Sequence, residues 1–291
     1  MRDEDELEDS AAPLIEHLAE LRTRLIRSVV AFLIGMVVCF TFAGTILDFL
    51  LVPIKNVMLD LGDPDPRMQF TAPQEYFFTL IRISMVFGLA LSFPVIAHQM
   101  WRFVAPGLYR SEKSAFLPFL LASPILFIIG GAFAHFVVTP LAMAFFLGFA
   151  DWKAVVPEAL TDPGSADVVV PPADAISIDF IGKVNETLDI TLKLIVAFGL
   201  CFQLPVLLSL MGKAELVSSE GLKSTRKYAI VGILTLAAII TPPDVITQVI
   251  LFGVVYALYE ISIQLVAAIE RAREAKLRAE GYYDGEEEPG E

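Results

Sequence analysis

Apolar residues in this chain run in long uncharged blocks instead of alternating with polar ones. Leu25 to Ala43 is interrupted only by Arg27, Tyr76 to Ala97 only by Arg82, and Ala115 to Ala150 holds no Asp, Glu, Lys or Arg. Ile190 to Met211 carries only Lys193, and Tyr228 to Leu265 is broken in its middle by Thr241-Pro242-Pro243-Asp244. A helix needs roughly 20 mostly apolar residues to cross a hydrocarbon core about 30 Å thick. The pattern predicts an all-α, polytopic membrane protein with six spans near 25–43, 76–97, 115–150, 190–211, 228–240 and 245–265.

Two of these blocks have unusual lengths. The third, at 1.5 Å per residue, would extend about 54 Å, too long for one upright span and too short for two. It reads as one long helix, bent or tilted, with Pro118, Pro124 and Pro140 as kink points. The last block is the opposite case. Tyr228 to Ile240 reaches only about 20 Å, and a double proline followed by Asp turns the chain there, so the fifth and sixth spans are expected to be short. Residues 44–75 and 150–182 are rich in Pro, Gly and Asp and read as loops or caps outside the membrane, with helix around Ile46 to Leu61. Residues 1–269 then form one integral membrane domain, and 270–291 an acidic cytoplasmic tail, disordered at its end.

Composition sharpens the class. Hydrophobic residues make up 56% of the 291, charged residues 19%, and the mean hydropathy is +0.66. Those values exclude a soluble domain and a disordered chain. The net charge of -13 argues against a nucleic-acid partner. Cys39 and Cys201 both lie in apolar runs, where small buried thiols are expected. Basic residues set the orientation. Arg2, Arg22, Arg24 and Arg27, then Arg102, Arg110 and Lys113, then Lys213, Lys223, Arg226 and Lys227, then Arg271, Arg273, Lys276 and Arg278 fall on one side, which is cytoplasmic by the positive-inside rule. Both termini are then cytoplasmic. Residues 2–9 are mostly acidic and do not resemble a cleaved signal.

Enzyme signatures are missing from the sequence: no phosphate loop, no dinucleotide fingerprint, no Gly-x-Ser-x-Gly and no His-Glu-x-x-His. His17, His98 and His135 lack metal-ligand spacing and read as interfacial or helix-packing residues, so neither a metal nor a cofactor is expected. Gln203, in the fourth span, reads either as an internal interhelical hydrogen bond or as a docking point for another protein's membrane helix. Arg82 and Lys193 are expected to snorkel to headgroups, Asp244 to cap the sixth helix, and Glu260 to face solvent or headgroups.

The cytoplasmic segments are richer. From Pro13 onward, Leu14, Leu18, Leu21 and Leu25 share one helical stripe, as in a helix lying on the membrane and running into the first span. Glu20 stands off that stripe with Arg24 four residues on, the spacing of an ion pair. The loop Gln99 to Lys113 combines aromatic residues, a Pro-Gly turn, and Ser111 and Glu112 at the start of the third helix. An exposed carboxylate beside aromatic walls suits a basic, partly apolar peptide, because a carboxylate takes an arginine fork in two parallel hydrogen bonds.

Read together, His17 to Leu25, Phe93-Pro94-Val95-Ile96 through Trp101 and Phe103, Ala105 to Lys113, Phe198-Gly199 to Pro205-Val206, and Thr241 to Val245 with Gln248 resemble the TatC family. This is the multispan receptor subunit of the twin-arginine translocase. The likeness extends in order from about Pro13 to Glu260. It implies a multi-pass protein of the bacterial inner membrane that binds twin-arginine signal peptides of folded cargo at the cytoplasmic face. It also implies recruitment of TatA-type and TatB-type single-span partners into a multimeric, proton-motive-force-driven complex among membrane lipids. By the resemblance, Glu20 and Glu112 are the signal-binding carboxylates, with Phe103, Leu21 and Arg22 in the same matched stretches. Pro53 corresponds to a loop position linked to translocation, and Gln203 and Thr241 to contacts with partner helices. Many members carry glutamate where this chain has Gln203, and an amide does not titrate. The alternative classes are an ion-coupled secondary transporter or channel for a small solute, and a membrane-embedded enzyme; the lack of an internal repeat weighs against the first and the lack of a nucleophile or acid-base pair against the second.

Overall fold

The computed structural model describes residues 2–104, 113–148, 181–241 and 245–279. Helix α1 covers Arg2–Thr41, α2 Ala43–Asp60, α3 Pro73–Val104 and α4 Lys113–Phe133, the last continuing through a π-helical turn, Ala134–Val138, to residue 148. Then follow α5 (Val184–Cys201), α6 (Leu204–Lys213), the short α7 (Ser219–Ser224), α8 (Arg226–Ile240) and α9 (Val245–Ala279). Two-residue strands β1 (Met68–Gln69) and β2 (Gly182–Lys183) pair in parallel, with Met68 opposite Gly182. That pairing brings the chain ahead of α3 beside the start of α5.

Among the described residues, five stretches are long and apolar enough to cross a membrane: Leu18–Thr41, Pro73–Met100, Phe119–Gly148, Val184–Lys213 and Val245–Ala279. They match the first four predicted spans and the sixth. Helix α8 has 15 residues and reaches about 22 Å, short of the hydrocarbon thickness, as its sequence predicts. The sixth is not short, however: α9 runs for 35 residues, through Glu260 and on past residue 270 into the predicted tail.

Close helix crossings hold the bundle together. A Cβ added to Gly35 of α1 would stand 2.7 Å from the Gly88 carbonyl oxygen of α3, and one added to Gly88 would stand 2.7 Å from the Met36 Cα. Only two glycines allow that approach. The core runs from where α5 meets α3 and α4 to where α6 and α8 meet α9, around Phe198, Leu188, Leu194, Ile83, Val138, Leu251 and Ile263. By contrast α1 touches mainly α3 and leaves most of its apolar side chains exposed, from Leu25 through Ile34 to Val37.

Several details depart from the sequence reading. The third span does form one long helix, but its irregularity is a π turn in which the Thr139 N–H reaches back to the Ala134 carbonyl. Pro140 sits just beyond; its ring would clash with the carbonyl four residues earlier, and an added residue in the turn relieves that clash. The helix expected around Ile46 to Leu61 is present as α2 and starts earlier, at Ala43. Helix α2 buries Leu47, Leu50, Pro53, Ile54, Val57 and Met58 on one face, so Pro53 lies inside a packed helix. The stripe-bearing segment before Leu25 does run into span one, as part of the single helix α1. Span four begins at Val184 and is interrupted at Phe202–Gln203, because Pro205 has no N–H to give the Cys201 carbonyl and the Gln203 N–H turns instead to Leu200, 3.0 Å away. His135 is buried, its ring 4.6 Å from that of Phe49 on α2, in keeping with a helix-packing role. Cys39 is buried and Cys201 half-buried, both as free thiols.

Candidate functional site

The Gly35–Gly88 crossing fixes the antiparallel register of α1 and α3. Glu20 lies fifteen positions before Gly35, and Phe103 fifteen positions after Gly88, so the two stand at one level at the same end of the helix pair. Arg24 is level with Gln99 by the same register, and both are buried. The Arg24 guanidinium grips Glu20 through two nitrogens; Nε donates to Oε1 at 3.1 Å, and Nη2 approaches the same oxygen more closely. Only 10% of the Arg24 side chain is exposed, against 40% for Glu20. The pair therefore presents a carboxylate at the surface, backed by a buried cation. Arg24 and Arg102 both lie near His98 at this end of the helix pair. Phe103 is half-buried there, and Leu21 and Arg22 are exposed on α1. Leu18 and Leu25 are exposed as well, on the side of α1 away from Arg24.

Gln203 occupies the interruption between α5 and α6. Its Oε1 accepts a hydrogen bond from the Ser123 hydroxyl at 2.6 Å, and its Nε2 donates to the Ser123 carbonyl at 2.8 Å. Of the two readings of this amide, the interhelical bond within the chain is present. One amide hydrogen and one lone pair remain beyond those two bonds. Thr241 ends α8: its N–H and its hydroxyl both donate to the Ala237 carbonyl, at 2.9 and 2.8 Å, and it is buried. Pro53 sits on the buried face of α2, away from Glu20 in the chain's layout. Ser111, Glu112 and Asp244, the segment 149–180 and the chain from Glu280 onward lie outside the described residues.

The sequence model described as Sec-independent protein translocase protein (TatC) matches residues 16–253. The chain belongs to the TatC family. A Sec-independent protein translocase protein TatC from Magnetococcus marinus is 42% identical over 272 residues, covering 94% of this chain and 90% of its own length. Its counterpart from Aquifex aeolicus is 41% identical over 253 residues, 87% of this chain and 94% of that one. A crystal structure described as the twin arginine translocase receptor TatC superposes with a TM-score of 0.68 at 39% identity, over 87% of this chain and 99% of the other. This TatC-family chain is a non-enzymatic, multi-pass component of Tat protein translocation in the inner membrane.

Some polar groups of this TatC-family fold escape the sequence reading. Arg82 does more than snorkel: its Nη1 donates to Asn185 Oδ1 at 3.0 Å and lies 3.6 Å from Asp189, which also holds Lys193 at 2.6 Å. The i,i+4 spacing of Asp189 and Lys193 is the signal for it, hidden when the span is begun at Ile190. Glu260 is likewise bonded and not simply solvated. It accepts from Arg226 at 2.7 Å and from Tyr256 at 3.0 Å, tying the first turn of α8 to α9. A second tie joins the Ser219 N–H of α7 to Glu270 at 2.9 Å. No sequence pattern announces the pairing of residues 34 and 51 positions apart.

Proposed function

We propose that this chain is the subunit that captures twin-arginine signal peptides at the cytoplasmic face, through Glu20 and Glu112 with Phe103, Leu21 and Arg22 around them. The observation that carries this reading is the part-exposed Glu20 carboxylate at the level of Phe103. A guanidinium arriving there gains charge-assisted hydrogen bonds, and its neighbouring apolar residues meet an aromatic ring. Arg24, bonded to one of its oxygens, holds the carboxylate in place. In sequence, Glu112 comes nine residues after Phe103 and directly before Lys113, the first residue of α4.

In this reading residues 1–269 are one integral domain with six spans, α8 being the short fifth, and both termini are cytoplasmic. The tail, 270–291, starts as the continuation of α9. Single-span TatA-type and TatB-type helices dock at Gln203 and Thr241, the complex is multimeric, and export draws on the proton-motive force. Pro53 stiffens α2, the helix that links span one to span two. Because Gln203 does not titrate, it serves this docking by hydrogen bonding alone. Photocrosslinking from position 20 or 112 to a signal peptide tests the reading: capture is expected with the arginine pair and lost when the pair is replaced by alanine. Equal capture of both peptides overturns it.

A further inference from the structure

Away from Glu20, α3, α5 and the end of α8 enclose a lateral groove of about 520 Å³. Its walls are apolar, formed by Val86, Leu192, Val196, Leu200, Ile239 and Ile240. Its rim is charged. Arg82 and Lys193 both lean on one carboxylate, Asp189, at 3.6 and 2.6 Å, and the three side chains are 49%, 66% and 37% exposed in the order Arg82, Lys193, Asp189. Among the charged side chains that line the groove, one positive charge is therefore left over, with N–H donors to spare, since a guanidinium has five and an ammonium three. The exposed Glu186 lies outside the lining, one turn before Asp189 and about 10 Å along α5 from Lys193.

Depth makes that surplus unusual. Arg82 is nine residues into α3 and Lys193 nine residues into α5, each about 14 Å from the start of its own helix. Charges so far along spanning helices are costly unless headgroups reach them. Helix α8 brings the headgroups in: about 8 Å shorter than a typical hydrocarbon core, it draws the bilayer surface down beside the groove that its last residues line.

We propose that this groove is a binding site for one anionic phospholipid, its phosphate on Arg82 and Lys193 and an acyl chain along Val86, Val196 and Leu200. The surplus charge selects an anionic headgroup over a zwitterionic one, whose own cation would meet Arg82 and Lys193. A phosphate answers the charged rim while an acyl chain covers the apolar walls, whereas an apolar spanning helix would leave Arg82 and Lys193 without a polar partner from the occupant.

The test uses the purified full-length chain in mixed micelles with equimolar phosphatidylglycerol and phosphatidylcholine, with retained lipid counted by native mass spectrometry. One phosphatidylglycerol is expected to be kept in preference, and Arg82→Gln and Lys193→Gln are each expected to cut that preference about fivefold. Arg82→Lys should keep most of it, and Val196→Trp should displace the lipid while the rim stays intact. Equal retention of the two lipids by the natural chain, a preference undiminished in the double Gln variant, or lipid still held by Val196→Trp overturns the proposal. So does a photocrosslinker at Met85 that captures a single-span protein in native membranes and no lipid. None of these outcomes bears on signal capture at Glu20, which the crosslinking above tests separately.

Discussion

Gly35 of α1 and Gly88 of α3 meet so closely that either Cβ would fall 2.7 Å from the other helix's backbone. Nothing in a flexible side chain can give way there, so Gly88→Ala forces the helices apart. A cost of about 1–3 kcal/mol is expected, as for overpacked cores. A lower melting temperature in detergent, together with weaker signal-peptide crosslinking from position 20, would be the result. An unchanged melting temperature would mean that the crossing does not set the register.

The Glu20–Arg24 pair leads to a second prediction. Removing Glu20 takes away a binding group and also strands a buried cation. Glu20→Ala should lower stability by about 1 kcal/mol, the modest value expected for a half-exposed helix pair. Adding Arg24→Leu should restore most of that stability without restoring export of a twin-arginine reporter. Recovery of export in the double variant would show that Glu20 acts only by neutralising Arg24.

How much of this was legible beforehand depends on the range of the interaction. Blocks of apolar residues gave the spans, because a helix in hydrocarbon must satisfy its own backbone and so writes its length into local composition. The Glu20–Arg24 pair was legible as well, since i,i+4 contacts are local. Helix α2 was only half visible: its Pro53 and flanking Gly62, Pro64 and Pro66 suggested a loop, while burial of Leu50 and Ile54 against the bundle decided for helix. Contacts made across long separations, such as Arg82 with Asn185 and Arg226 with Glu260, depend on how helices are juxtaposed. Only the folded chain displays them.

Gln203 and Ser123 exchange two hydrogen bonds across α4 and the α5–α6 break, one donated by each residue. Gln203→Leu loses both and should cost about 1 kcal/mol, the scale of polar pairs between membrane helices. Gln203→Glu is the more informative change. A protonated acid can still donate to the Ser123 carbonyl, whereas an ionised one cannot, so this variant's stability should fall as the pH rises through the pKa of the new carboxyl. The natural chain should show no such step, and thermal melts across a pH series compare the two. A variant whose melting does not change with pH would mean that the carboxyl stays in one state or that the bond is immaterial.

The shortness of α8 yields the last prediction. Its buried residues Ile233 and Ala237 hold it against the bundle, and Arg226 anchors its first turn to Glu260. Four leucines inserted after Ile239 would lengthen it by about 6 Å, to nearly the full hydrocarbon thickness. Four residues are close to a whole turn, so the packed face before the insertion keeps its partners and the helix end keeps its facing. The protein should still insert and melt near its usual temperature. Export should fall sharply if local thinning beside α8 matters to transport, because the added turn removes the mismatch that thins the bilayer. Normal export by a stably inserted variant would assign the short helix a packing role only.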